Sequence, residues 1–141
     1  MTAQSTMPRL AYANIFSRDI VALSAFYGAL FGFEELAVHR SPIYRCLDAG
    51  GMELGFNDFK AYDLLGLAAR CPGDPLPAPT ITYLTFELGS VAEVDARSAR
   101  AKVLGGTVIK PGYTTYYYSW QAVLSDPEGN VFRLNHRIAP P

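Results

Sequence analysis

Histidine is almost missing from this chain. Two of its 141 residues carry an imidazole, His39 and His136. Neither stands near a serine or cysteine nucleophile motif, so a Ser-His-Asp or Cys-His centre is not expected. Neither has a paired histidine or carboxylate at metal-ligand spacing, and both read as surface or terminal residues. Cysteine is as scarce. Cys46 and Cys71 fit no zinc spacing and are expected to be free thiols in a reducing cytoplasm. No stretch reaches the ~18 consecutive apolar residues that mark a membrane helix. Met1 to Pro8 has no apolar run behind a charged start, so no signal peptide is expected. An excess of one charge is missing too. Twelve Lys and Arg against 13 Asp and Glu give a net charge of −1, which leaves nothing to attract nucleic acid or an anionic membrane. No glycine-rich phosphate loop or nucleotide fingerprint occupies a strand-to-helix turn.

What is present is apolar patterning, and it repeats. Half the residues are hydrophobic and 18% are charged, the composition of a single globular domain over residues 1–141. A chain of this length buries roughly 68% of its unfolded surface, enough for a core. Leu10 to Ser17 reads as a strand. Asp19 then looks like a helix N-cap, and Ile20, Leu23, Phe26, Tyr27, Leu30 and Phe31 recur at helical spacing until Gly32. Strand candidates follow at Phe33–Val38, Pro42–Asp48 and Gly51–Asn57. The second half repeats the order. Ile81–Leu88 alternates as a strand, Ser90 to Glu93 forms a capping box, and Val91, Val94, Ala101 and Leu104 line one helical face up to Gly105. Strand candidates follow at Thr107–Lys110, Thr115–Ser125 and Asn130–Asn135, the last behind an Asp126-Pro-Glu-Gly129 turn. Tyr12 lies seven residues before the cap Asp19, and Tyr83 seven before the cap Ser90. The halves are module one (residues 9–57) and module two (81–136). The linker of residues 58–80 holds a short helix candidate, Lys60–Ala69, and a proline-rich loop, Cys71–Pro79.

The stretches Asp19-Ile-Val-Ala-Leu-Ser-Ala-Phe-Tyr27 with Leu30-Phe-Gly-Phe33, and Ser125-Asp-Pro-Glu-Gly-Asn130 with Val-Phe-Arg-Leu134, carry a resemblance. With the repeat, residues 9–136 resemble the vicinal-oxygen-chelate superfamily, which includes glyoxalase, bleomycin resistance and dioxygenase proteins. The resemblance implies an α+β fold of two βαβββ modules. They form open half-barrels around a ligand cavity, with the helices outside. Strand alternation then assigns faces. Tyr12, Asn14 and Phe16 turn to the cavity, as do Tyr83, Thr85 and Glu87 in the matching strand. Glu53 and Arg133 turn inward from the last strand of each module.

Metal-dependent members of such a family place His, Gln or Glu at four positions, matched here by Tyr12, Glu53, Tyr83 and Arg133. Glu53 alone suits a divalent ion. A neutral tyrosine is a poor ligand, and arginine has no lone pair. No metal and no other cofactor is therefore expected. Glu53 and Arg133 are instead expected to pair where the metal would sit, flanked by the two tyrosines. In the aromatic stretch Tyr113 to Trp120, alternation gives Tyr117 and Gln121 to the cavity, for stacking and amide hydrogen bonds, and Trp120 to packing. The candidate ligand contacts are Tyr12, Asn14, Phe16, Tyr83, Thr85, Tyr117, Gln121 and Arg133, with Glu53 as the candidate catalytic group. The first reading is a metal-free binder of a small aromatic or amphipathic molecule, similar to antibiotic-sequestering proteins and expected as a homodimer. The second is a metal-free lyase or isomerase with Glu53 as general base, which an Arg133 partner would make a poor base. The third is a metal-dependent lyase of the lactoylglutathione-lyase kind, or a dioxygenase.

Overall fold

Asp19 starts the first helix. Its carboxylate accepts the Ala22 N–H at 3.0 Å, and α1 runs Ile20–Phe31. Gly32 stops it in the left-handed region, φ 74°, where a side chain would be strained. Ile20, Leu23, Phe26, Tyr27 and Leu30 are buried along this helix. The later helix, α3 (Val91–Val103), is capped by Ser90 Oγ accepting the Glu93 N–H at 3.1 Å. The expected capping box is displaced by one residue. Glu93 Oε2 accepts from the Gly89 N–H at 3.2 Å rather than from Ser90. These helices belong to a computed structural model that describes residues 7–73 and 79–138.

Each helix follows a strand and precedes others, as the repeat requires. The first sheet holds β1 (Tyr12–Ser17), β2 (Tyr44–Asp48) and β3 (Glu53–Asp58) in the order β1-β3-β2, with β1 and β3 parallel. The short helix α2 (Lys60–Leu64) follows it. The second sheet holds β4 (Leu84–Glu87), β5 (Thr107–Thr114), β6 (Ser119–Ser125) and β7 (Val131–Arg137) in the order β4-β7-β6-β5. Here β4 and β7 are parallel and the others antiparallel. The sheets stay open, so the architecture is α+β with two half-barrels.

One aromatic core serves both modules. Phe26, Tyr27, Phe56 and Phe132 are buried with Leu54, Leu124 and Leu134. Tyr27 meets Phe132 edge-on, ring centroids 5.5 Å apart, and Phe31 stacks on Phe86 at 4.2 Å. Such pairs add to the gain from burial alone.

Several expected boundaries shift. Phe33–Val38 is not a strand. Phe33 turns into the core against Phe31 and Phe86. One isolated bridge, Glu35 to Leu47, remains before a 3₁₀ turn at Ala37–His39. Strand β2 begins at Tyr44, because Ser41 to Tyr44 is a tight turn closed by the bridge between its ends. Strand β4 is confined to Leu84–Glu87, where β7 offers partners. The long strand Thr115–Ser125 is broken at its start. Thr115 to Tyr118 turns instead, with Tyr118 at φ 61° and its N–H on the Thr115 carbonyl. Strand β5 extends to Thr114 to meet it. The Lys60–Ala69 helix is two pieces, α2 and a 3₁₀ turn at Ala68–Arg70. Gly66, φ 74°, lies between them. Residues 74–78 of the proline-rich loop lie outside the described residues, as do residues 1–6.

The Asp126 turn does more than reverse the chain. Asp126 is buried, and its Oδ1 accepts the Glu128 and Asn130 N–H groups at 2.9 and 3.0 Å. Its Oδ2 accepts the buried Tyr27 hydroxyl at 2.8 Å. Glu128 reaches across to module one. It accepts from Ser17 Oγ at 2.6 Å and from the Arg18 and Asp19 N–H groups at 2.7 and 3.2 Å. A carboxylate there satisfies free donors at the start of α1 and suits the positive end of that helix.

Candidate functional site

Alternation along the strands builds the concave face. In the first sheet Tyr12 sits in register with Glu53, Asn14 with Gly55 and Phe16 with Asn57. Strand β2 lays Tyr44, Cys46 and Asp48 beside the same rows. Glu53 Oε2 lies 3.6 Å from the Cys46 thiol, which donates to it. Burial holds that thiol above its ordinary pKa, so it remains a donor. The Glu53 carboxylate raises the Tyr12 phenol, by its charge first and by hydrogen bonding second. Tyr44 is pushed up as well, by burial first and then by Cys46. Gly55 keeps this cluster open to the strand. A Cβ there would lie 2.2 Å from Asn14 Oδ1 and 2.6 Å from the Tyr44 hydroxyl.

The second sheet carries a network around a cation. Arg133 Nε donates to Thr85 Oγ1 at 2.9 Å, and Nη1 donates to the Tyr117 hydroxyl at 3.2 Å and to Gln121 Oε1 at 3.3 Å. Its guanidinium lies over the Tyr83 ring, 4.8 Å from the centroid. Gln121 is 2% exposed, and its Oε1 also accepts the Tyr113 and Tyr117 hydroxyls, each at 3.1 Å. Its amide nitrogen donates to Asn135 Oδ1 at 3.0 Å. Asn135 in turn donates to Glu87 at 2.7 Å. The network thus brings together Tyr83, Thr85, Tyr117, Gln121 and Arg133. Tyr117 reaches it from the turn before β6 rather than from the expected long strand.

The expected Glu53–Arg133 pair does not form. No ion pair or hydrogen bond joins them among the described residues. Each is satisfied within its own sheet, Glu53 beside Cys46 and Tyr12, Arg133 among neutral groups.

A cavity of about 280 Å³ opens where the two modules meet. It is lined by Asn14 and Phe16 from β1, by Ile81 to Leu84, by Glu128 to Val131, and by Phe59 and Tyr62 near α2. Of the predicted residues, it takes in Asn14, Phe16 and Tyr83. Phe16 is covered by the Tyr62 ring, stacked at 3.7 Å between centroids. The sequence pattern did not find Tyr44, Cys46, Gly55, Phe59, Tyr62, Asn135 or the Glu128 clasp. Period-two alternation through β2 would have shown Tyr44 and Cys46. Tyr62 had no signal, because its place depends on how the linker folds back.

Of the four residues that the resemblance matches to metal ligands, three carry groups poorly suited to a divalent ion. Tyr12 is driven away from the phenolate form a metal would take. Arg133 offers no lone pair, and Tyr83 lies under it. Glu53 alone has the right donor. Among the described residues, no three His, Cys, Asp or Glu side chains converge as a ligand set. No described helix is long and apolar enough to cross a membrane.

Comparison with known proteins places this architecture. No curated protein matches the chain. It is 45% identical to a glyoxalase/bleomycin resistance protein/dioxygenase family enzyme from Burkholderia phytofirmans, over 93% of this chain and 100% of that one, with a TM-score of 0.87. It shares its fold with a lactoylglutathione lyase from Agrobacterium tumefaciens at 21% identity, covering 94% and 96% of the two chains, with a TM-score of 0.67. A genomically encoded fosfomycin resistance protein from Listeria monocytogenes has the fold too, at 20% identity over 93% and 94%, with a TM-score of 0.68. The family model described as a glyoxalase-like domain matches residues 13–135, and the chain belongs to that family.

Proposed function

We propose that the protein binds a small aromatic or amphipathic molecule in the concave seam between its modules, without a divalent metal. The observation that carries this reading is the donor set. Tyrosine and arginine fill three of the four positions where a metal would need carboxylate or imidazole, while tyrosines and phenylalanines line the adjoining cavity. About 280 Å³ falls just below the ~300–1,000 Å³ usual for ligand pockets, which favours a compact ligand. The reading includes a homodimer. It also includes a reducing, cytoplasmic setting, which suits two free thiols. Metal analysis of purified protein, paired with a thermal-shift screen of small aromatic molecules with and without chelator, tests it. The expected result is substoichiometric metal and ligand stabilisation that chelator leaves unchanged. A stoichiometric divalent ion overturns it and restores the metal-dependent lyase or dioxygenase reading.

One observation favours a second reading, a metal-free lyase or isomerase. Among the described residues Glu53 has no guanidinium partner, and it stands beside Tyr12, whose raised pKa keeps it a proton donor. A carboxylate and a phenol side by side suit proton abstraction and return. Turnover lost in Glu53→Gln with binding retained would select the enzyme. Turnover unchanged in that variant would remove Glu53 from any such role.

A further inference from the structure

We infer that the ligand carries an anionic group, and that Arg133 is the residue that receives it. The inference rests on the binding reading above and names the chemical class of its ligand. Arg133 is held by Thr85, Tyr117, Gln121 and the Tyr83 ring, all of them uncharged side chains. No carboxylate stands within ion-pair distance of it among the described residues. Glu53, the acid expected to neutralise it, is engaged with Cys46 and Tyr12. Glu87, which enters the same network, is separated from it by the Asn135 and Gln121 amides and is occupied by Asn135 and by the Arg137 N–H.

The bonds also fix which donor is left over. Nε gives its one hydrogen to Thr85, and Nη1 gives its two to Tyr117 and Gln121. Nη2 has no partner among the described residues, and Arg133 is half-buried rather than fully covered. A guanidinium held through Nε and Nη1, with the two Nη2 hydrogens uncommitted, is prepared to donate from Nη2 to a carboxylate or another oxyanion. Little ordering is left to be done when the ligand arrives, because four side chains already hold the guanidinium. Tyr83 joins this cation to the seam. Its ring lies beneath the guanidinium and it also lines the cavity with Asn14 and Phe16. An anionic head on Arg133 and an aromatic or aliphatic body in the cavity describe a small amphipathic acid.

Titration of the intact protein with phenylacetate, its neutral isostere phenylacetamide, phenylphosphonate and inorganic phosphate tests the inference, read by calorimetry and amide chemical-shift mapping. Phenylacetate is expected to bind roughly tenfold or more tighter than phenylacetamide, the scale of a hydrogen bond to a charged group. Added salt should weaken that binding. The shifts are expected at Thr85, Tyr117 and Arg133. Phenylphosphonate binding above phenylacetate would name phosphonate as the head. Inorganic phosphate binding as tightly as either would show that the body contributes nothing and overturn the amphipathic assignment. Arg133→Gln should bring acid and amide within about twofold, and Arg133→Lys, which keeps the charge but loses the bonds that hold it in place, should fall between. Unchanged thermal unfolding of the lysine variant guards against a folding artefact. Equal binding of acid and amide, or discrimination that survives Arg133→Gln, overturns the inference and leaves the binding reading intact. If no probe shifts any concave-face resonance, both fall.

Discussion

The two modules repeat one plan and spend it differently. In module one the concave face gathers acidic and weakly acidic groups, Glu53 with Tyr12, Tyr44 and Cys46. In module two the corresponding face is a neutral amide and hydroxyl network built around the cation Arg133. The first sheet has three strands and the second four. Helix α1 is apolar and lies deep in the shared core. Helix α3 carries charge at several positions and buries only Val94, Ser98 and Ala101. The Asp48 carboxylate accepts from its own turn, at the Gly50 N–H, whereas the turn opened by Asp126 reaches across to Tyr27 and, through Glu128, to the start of α1. Both halves share a strand-then-helix scaffold. The unequal loops and strands made module two the one that organises both.

The sharpest test of that asymmetry lies in the core. Phe132 precedes Arg133 as Met52 precedes Glu53, yet Phe132 is fully buried and Met52 only partly. Phe132→Ala is expected to cost about 3–5 kcal/mol in chemical denaturation, and Met52→Ala about 1 kcal/mol. Equal losses would make the modules equivalent in the core. The turns come next. Glu128→Ala leaves Ser17 and two backbone donors without a carboxylate and should cost about 2 kcal/mol, while Asp48→Ala should cost less than about 1 kcal/mol.

A smaller effect concerns acid. Burial raises the Asp126 pKa, against the pull of Tyr27 and Asn130. Its folded value is then above the unfolded one of about 3.9. The resulting contribution to stability is full below the unfolded value and is lost as pH rises through the folded value. The wild type should therefore lose stability relative to Asp126→Asn as pH climbs from about 3 through that window, measured by denaturation at each pH. A difference that stays flat would break the assignment of Asp126 as a buried, desolvated acid. The smallest effect belongs to module one's edge. Arg40 and Glu35 pair at 2.7 Å with Arg40 exposed, and Arg40→Gln should change stability by no more than about 0.5 kcal/mol.

The repeat, both helix caps and the inward faces of β1, β4 and β7 were legible from the sequence, because alternation and capping are local. Asp19, Gly32 and Ser90 stand where the pattern put them. The misreadings share a cause. Phe33–Val38 carries strand-like residues, but the core draws Phe33 away and only one bridge survives. Tyr116 to Tyr118 have strand propensity, yet the hairpin needs a turn there. The Glu53–Arg133 pair was argued from a shared position across the pseudo-symmetry. It failed because each side chain finds nearer partners within its own sheet. Tertiary competition of that kind leaves no trace in spacing.

The Glu128 clasp also sets an order of events. Its partners Ser17, Arg18 and Asp19 lie 109 to 111 residues earlier in the chain. The Asp19 N–H also reaches the neighbouring Ser17 Oγ at 3.1 Å, but the carboxylate that takes it together with the Arg18 N–H arrives only when the turn before the last strand has formed. Contacts of such sequence separation close late, because the whole intervening loop must be ordered first. Pulse-labelled hydrogen exchange during refolding should show the Arg18 and Asp19 amides protected with module two rather than with α1. Early protection there would mean that module one completes its own helix. Otherwise, the half that is made first is the half that is finished last.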